Sequence, residues 1–185
     1  TGNWKFYNST QKLEQTGNYN NGRPDGIWKW YYPDGSLLRE EEYFQGQRDG
    51  SYTEYSPAGE IIAQGMYAEG EKNGDWKFKT GDVTEEGKYI LGLQDGLWKT
   101  IYSDGKLKSK LNFVQGNPHG EQVIYYESGK IKEVRNYQNG IRVKTWKKFT
   151  EEGVPELVIV YRNDQEISIN GVKINLPEND TRLIR

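Results

Sequence analysis

A spacing of 24 residues, kept almost from end to end, constrains this chain more than any other feature of it. Glycine opens successive blocks at Gly2, Gly26, Gly50, Gly74, Gly96 and Gly120, with Lys144 in the seventh place. The steps are 24, 24, 24, 22, 24 and 24 residues. Two residues on stand Trp4, Trp28, Tyr52, Trp76, Trp98, Gln122 and Trp146. Further columns hold a second glycine (Gly35, Gly59, Gly81, Gly105, Gly129, Gly153), an aromatic ring (Tyr19, Tyr43, Tyr67, Tyr89, Phe113, Tyr137, Tyr161) and a third glycine (Gly22 to Gly140). A period of this length marks an array, in which a unit too small to bury its own apolar face buries it against its neighbours.

Each block reads as a β-hairpin. Trp, Tyr, Val, Ile and Thr crowd the flanks of the second glycine and suit a pleated surface. Asp34-Gly35 and Asp104-Gly105 are residue pairs that two-residue hairpin loops select. With Asp34-Gly35 as the loop, Pro33 faces Ser36. Counting inward then sets Tyr32 against Leu37, Trp30 against Arg39, Trp28 against Glu41 and Gly26 against Tyr43. The same count puts Trp4 on Gly17, Tyr52 on Gly65 and Trp76 on Gly87, so each large ring is expected over the bare backbone it faces. It also puts Gly2, Gly50 and Gly96 opposite Tyr19, Tyr67 and Phe113, where an aromatic ring would cover a strand glycine. The fourth block is two residues short. Losing one residue from each arm at the turn keeps Trp76 on Gly87, whereas an odd deletion would turn every side chain to the other face.

The pattern G-x-W-x-x-Y, a glycine turn, then an aromatic followed by N-G-x-x-x-G, resembles MORN repeats. The 24-residue spacing is similar to the bacterial variant found in an antitoxin-like family. The resemblance covers about residues 2–164. It implies an all-β fold, an elongated, open, twisted antiparallel sheet of tandem β-hairpins, and the columns read from the residues require the same. The blocks run 2–25, 26–49, 50–73, 74–95, 96–119, 120–143 and 144–164. The remainder, 165–185, reads as a capping hairpin on Asn170-Gly171 with a tail from Pro177 onward. The resemblance also implies lipid or protein binding for eukaryotic members, and a toxin as partner in the antitoxin-like variant.

Composition narrows the partners. The chain has 25 Lys and Arg against 27 Asp and Glu, a formal net charge of −2. That balance speaks against nucleic acid, which selects a basic face, and against strong attraction to anionic lipid. The chain has no cysteine, which excludes disulfides and thiolate metal sites. No apolar run approaches the ~18 residues of a transmembrane helix. Thr1 in place of Met raises the expectation of upstream processing, with a leader to the periplasm or cell surface as one form of it. The first strand, Trp4–Phe6, then has an unpaired edge that admits an edge-to-edge dimer.

Residues able to do chemistry do not converge. His119, the lone histidine, lies in Asn117-Pro118-His119-Gly120 without a nucleophile or second ligand nearby in sequence, and reads as a solvated turn residue. Glu40-Glu41-Glu42, Glu85-Glu86 and Glu151-Glu152 alternate across a strand, so they read as solvated faces with Lys and Arg opposite. Loops such as NGRPDG and QGNPHG lack the Lys-Ser/Thr pair and the helix of a phosphate loop. Asn8-Ser9-Thr10 and Asn179-Asp180-Thr181 match the glycosylation acceptor, a triplet short enough to arise by chance. No catalytic residue, metal ligand or cofactor is expected.

The binding candidate is the aromatic ladder Trp28, Trp30, Tyr52, Trp76, Phe78, Trp98 and Trp146. Its rings either pack as the core or present a strip for a protein partner or a stacking platform for polysaccharide. The expected function is a non-enzymatic scaffold for protein–protein interaction, antitoxin-like by resemblance. The alternative is an extracytoplasmic carbohydrate-binding module.

Overall fold

The computed structural model describes residues 1–174, and every regular element among them is a strand. Asn179-Asp180-Thr181, the tail and the end of the expected cap lie outside the described residues. The chain divides into two compact units, Thr1–Leu93 and Gln94–Arg185. In the first, β1 (Gly2–Tyr7), β2 (Leu13–Asn20), β3 (Arg23–Tyr31), β4 (Leu37–Phe44), β5 (Gln47–Tyr55), β6 (Ile61–Ala68), β7 (Glu71–Thr80) and β8 (Val83–Ile90) pair antiparallel, each with the next. In the second, β9 (Leu93–Tyr102) and β10 (Leu107–Val114) form one hairpin. Short β11 (Asn117–Pro118) leads into β12 (Gly120–Tyr125) and β13 (Ile131–Gln138), and β14 (Ile141–Arg142) into β15 (Lys144–Phe149) and β16 (Pro155–Arg162). β17 (Gln165–Ile169) and β18 (Val172–Lys173), joined at Asn170-Gly171, continue the antiparallel order. The architecture is all-β, an open antiparallel arrangement of tandem hairpins.

The inner register is the expected one: Gly26 pairs with Tyr43, Trp28 with Glu41 and Trp30 with Arg39. The turn is not. Tyr32 N–H donates to the Ser36 carbonyl and Gly35 N–H to that of Tyr32, so the loop is three residues, Pro33-Asp34-Gly35. Only Gly35 takes a left-handed φ, 90°, whereas a tight two-residue Asp-Gly loop needs it at both positions. Tyr31, not Tyr32, faces Leu37, and a bulge at Leu38 absorbs the extra loop residue before Trp30 meets Arg39. Pro33 explains the choice, because its fixed φ suits the first corner of a wider turn and it has no N–H to give a ladder. The short fourth block dispenses with both devices. Thr80 pairs with Val83 around Gly81-Asp82 and no bulge follows, so the missing pair is one loop residue and one bulge residue rather than one from each arm.

The two-residue turns stand between hairpins instead. Asn21-Gly22 (φ 48° and 76°), Gln45-Gly46 (49° and 93°) and Asn139-Gly140 (49° and 84°) are left-handed at both residues, which accounts for the third glycine column. These turns are tied in series. Gly46 N–H donates to the Pro24 carbonyl and Gly70 N–H to that of Arg48, both at 2.8 Å. In the second unit Gly140 N–H reaches Pro118 in the same way.

The opening glycines also have a different cause from the one expected. They do face Tyr19, Tyr67 and Phe113 in register, but an added Cβ on Gly2 or Gly96 would meet nothing, and on Gly50 it would meet Glu42 rather than a ring. What the column shares is positive φ, 74° at Gly26 and Gly74 and 72° at Gly120. Lys144 holds the same conformation at φ 57°, which a residue with a Cβ adopts at a cost of ~1–2 kcal/mol. Lys144→Gly should therefore raise the stability by up to about 1 kcal/mol, read as a higher urea midpoint. A lower midpoint would contradict this reading of the column.

Candidate functional site

Left-handed Gly26 lets three residues of β3, 26–28, sit against Gly17 alone in β2, between the pairs Asn18–Asp25 and Thr16–Lys29. This bulge swings the Trp28 ring over Gly17, where any Cβ would fall inside the indole. Trp28 Nε1–H then donates to the Asn18 carbonyl at 3.1 Å. The arrangement recurs with Trp76 over Gly65, bonded to Met66 at 3.0 Å. Trp4 pairs with Gly17 and Tyr52 with Gly65 along the backbone, as expected. The ring pressed on each glycine nevertheless comes from the following hairpin. Small residues recur because consecutive hairpins, not the two arms of one hairpin, meet there.

Departures from the column keep the contact by other chemistry. Gln122 replaces the indole, and its Nε2–H donates to the Asn112 carbonyl at 2.8 Å while its Oε1 accepts Asn112 N–H. It pairs with Arg135 in register, yet its bonds run to the preceding hairpin. In the first unit, Glu41 occupies the small-residue position and smaller Tyr52 the tryptophan position. Glu41 is 1% exposed, which corrects the reading of the Glu40-Glu41-Glu42 run as solvated throughout. Its Oε2 accepts bonds from Tyr43 Oη (2.6 Å) and Arg48 Nε (3.1 Å). Arg39 Nε lies 2.9 Å from Oε1 at an angle unsuited to a hydrogen bond, so that contact is held by charge. Substituting charge for glycine here required a smaller ring and two guanidiniums. Glu40, on the other face, keeps the expected cation opposite it, Lys29 at 2.5 Å.

Four rings of the ladder, Trp28, Tyr52, Trp76 and Trp98, are buried, while Trp30, Phe78 and Trp146 are half-buried. Neighbouring rings meet edge-on or stacked, as Tyr67 does with Trp76 at 5.2 Å and Trp76 with Phe78 at 5.4 Å. Lys72 Nζ lies 4.6 Å from the Trp76 and Phe78 ring centres and 5.1 Å from that of Tyr89. This burial pushes the ammonium below the usual lysine range, and ring faces supply its stabilisation. This side of the strands is thus a packed aromatic layer, with few rings available for stacking a sugar.

Burial also pushes the Tyr43, Tyr67 and Tyr89 phenols up, and those of Tyr52 and Tyr161 with help from bonds to Glu54 and Glu166. A phenol raised on folding contributes its full stability below the unfolded value of about 10 and loses it as pH climbs through the folded value. Alkaline titration followed by near-ultraviolet absorbance should show a group of tyrosines ionising late, together with unfolding. A single reversible step for all of them would contradict this.

His119 is not free in its turn. Its Nδ1 lies 3.3 Å from Asn139 N and 2.8 Å from Asn139 Oδ1. Asp25 and Asp95 hold the corresponding place and accept N–H from Gln45 and Gln115. The histidine therefore stands in for a turn-capping carboxylate, a role visible in the sequence once the column Asp25, Asp49, Asn73, Asp95, His119 is aligned. Among the described residues no group of three or more His, Asp or Glu is placed to hold a metal, and no helix is long and apolar enough to cross a membrane.

The opposite side of the strands carries a continuous row of paired residues in each unit, and sequence reasoning did not single it out. In the first unit the row runs Thr16, Lys29, Glu40, Thr53, Gln64, Lys77, Glu86. Lys29 faces Glu40, and Lys77 faces Glu86 at 4.0 Å. In the second unit the row runs Lys99, Lys110, Val123, Val134, Lys147, Val158. There the glutamate column is gone. Aligning the blocks would have revealed it, since Glu40 and Glu86 correspond to Lys110, Val134 and Val158.

The structure is a tandem-hairpin repeat, packed on one face of its strands. Residues 24–45, 94–115 and 118–139 match the family model described as MORN repeat variant, each segment spanning one hairpin. MORN repeats are as a rule scaffold and binding modules, and no catalytic family is indicated. A comparison with curated proteins gave no match.

Proposed function

We propose that this protein is a non-enzymatic scaffold whose repeats hold a protein partner on the uncovered side of the strands. One observation carries the reading. The aromatic side is consumed in packing hairpin on hairpin, while the other side of the same strands presents its row of side chains with no further layer over it among the described residues. Long regular surfaces of this kind are what repeat arrays offer to macromolecules. The antitoxin-like version, with a toxin as the partner, rests on family resemblance alone.

The test is site-specific photo-crosslinking in extracts of the source cell. The probe is placed at Thr53 or Asn136 on the uncovered side, with a control probe at the loop tip Ala58. One protein captured from the uncovered side and not from the tip, and rebound at micromolar concentration after purification, is the expected result. Capture of nothing specific, or of equal sets from the uncovered side and the loop tip, would remove the basis of the proposal.

A further inference from the structure

The two units differ on the uncovered side in a way that fold alone does not demand. In the first, Lys29 and Lys77 of the central row stand opposite Glu40 and Glu86, and Lys5 at its end opposite Thr16. In the second, Lys99 stands directly opposite Lys110, and like charges facing across strands destabilise a sheet. Among the described residues no carboxylate pairs with Lys99, Lys110 or Lys147. Between Lys110 and Lys147 the row is apolar, Val123 beside Val134, and Val158 lies beyond Lys147. These valines are half-buried, with no layer above them among the described residues. An apolar strip flanked by cations, kept at a cost to the sheet, is the pattern of an interaction surface.

Resting on the scaffold reading above, we infer that this row binds an acidic polypeptide segment in extended conformation, its carboxylates on Lys110 and Lys147 and an apolar side chain on Val123 and Val134. The spacing fits. Lys110 and Lys147 are three strand steps apart, about 14 Å, and residues four apart on one side of an extended chain are also about 14 Å apart. Lys99, opposite Lys110, offers a third contact to a further carboxylate. The formal net charge of −2 gives the molecule no long-range field for a polyanion, so the attraction is local, on the scale of a few carboxylates. That favours a short acidic segment over a nucleic acid or a lipid surface.

The test measures fluorescence anisotropy of a labelled peptide built on Glu-Thr-Val-Thr-Glu against the whole protein. A Lys-Thr-Val-Thr-Lys peptide, vesicles of phosphatidylcholine with phosphatidylserine, and single-stranded DNA serve as comparisons. The acidic peptide should bind best, weaken as salt rises, and lose about tenfold or more in affinity with Lys110→Glu/Lys147→Glu. A Lys12→Glu/Lys130→Glu control of equal charge change, in exposed hairpin loops, should keep it, and circular dichroism should show both variants folded. Unchanged affinity in the Lys110→Glu/Lys147→Glu variant overturns the inference, as does tighter binding of vesicles or DNA. If a crosslinked partner is captured equally well by that variant, the scaffold stands and only this assignment falls.

Discussion

Replacing Trp76 with alanine will lower the stability of the protein by about 3–5 kcal/mol, and the same change at Trp4 will cost clearly less. Trp76 is 2% exposed and Trp4 51%. Around Trp76 lie Tyr52 at 5.3 Å, Tyr67, Phe78 and Tyr89, the Gly65 backbone beneath it and the Lys72 ammonium above. The truncation removes all these contacts and strands the Met66 carbonyl, which accepts the indole N–H at 3.0 Å. Trp4 touches Phe6 and Tyr19 from its own hairpin. Urea unfolding of the two variants decides the matter. Equal losses would mean that stability is not shared between neighbouring hairpins as described.

Gly65→Ala should cost about 1–3 kcal/mol, a large loss for one added methyl group. Alanine in a strand ordinarily gains a little over glycine by restricting the unfolded chain, and Gly65 has no left-handed φ to forbid a side chain. The penalty is steric. The new Cβ would overlap Cδ2 and Cε2 of Trp76, and that ring has rings on its other sides and nowhere to go. A urea midpoint at or above the parent value would show that the indole can lift off the strand without loss.

Much of this was legible before the structure, and what was not has identifiable physical causes. The register of Trp28 with Glu41 and Trp76 with Gly87 follows from period-two alternation and survives the shortened fourth block, because an even deletion preserves faces. The loop length was ambiguous, since Asp34-Gly35 fits a two-residue turn and also the end of a three-residue one. Pro33 was the overlooked signal. Which ring covers which glycine depends on the stagger of one hairpin against the next, and that stagger is set by bulges at Gly26 and Gly74, where the signal is conformation and not residue size.

Of the candidate surface, the aromatic ladder is visible as a pattern that fits either a core or an open strip, whereas the lysine–valine row on the other side has no aromatic signature to mark it. Glu41 shows the same limit. A charge in a small-residue column, with tyrosine for tryptophan at Tyr52 and Arg39 two residues before it, marks a buried cluster only once the two columns are known to touch.

A thermodynamic cycle on Gly65 and Trp76 tests most directly the claim that each hairpin is locked to the one before it by a ring on bare backbone. Gly65→Ala is measured in the parent, in Trp76→Ala and in Tyr52→Ala, the last removing the residue that pairs with Gly65 along the backbone. The account gives a cost of about 1–3 kcal/mol in the parent and in Tyr52→Ala, falling to near zero or reversing in Trp76→Ala. An undiminished cost in Trp76→Ala, or a cost that vanishes with Tyr52 instead, would contradict it.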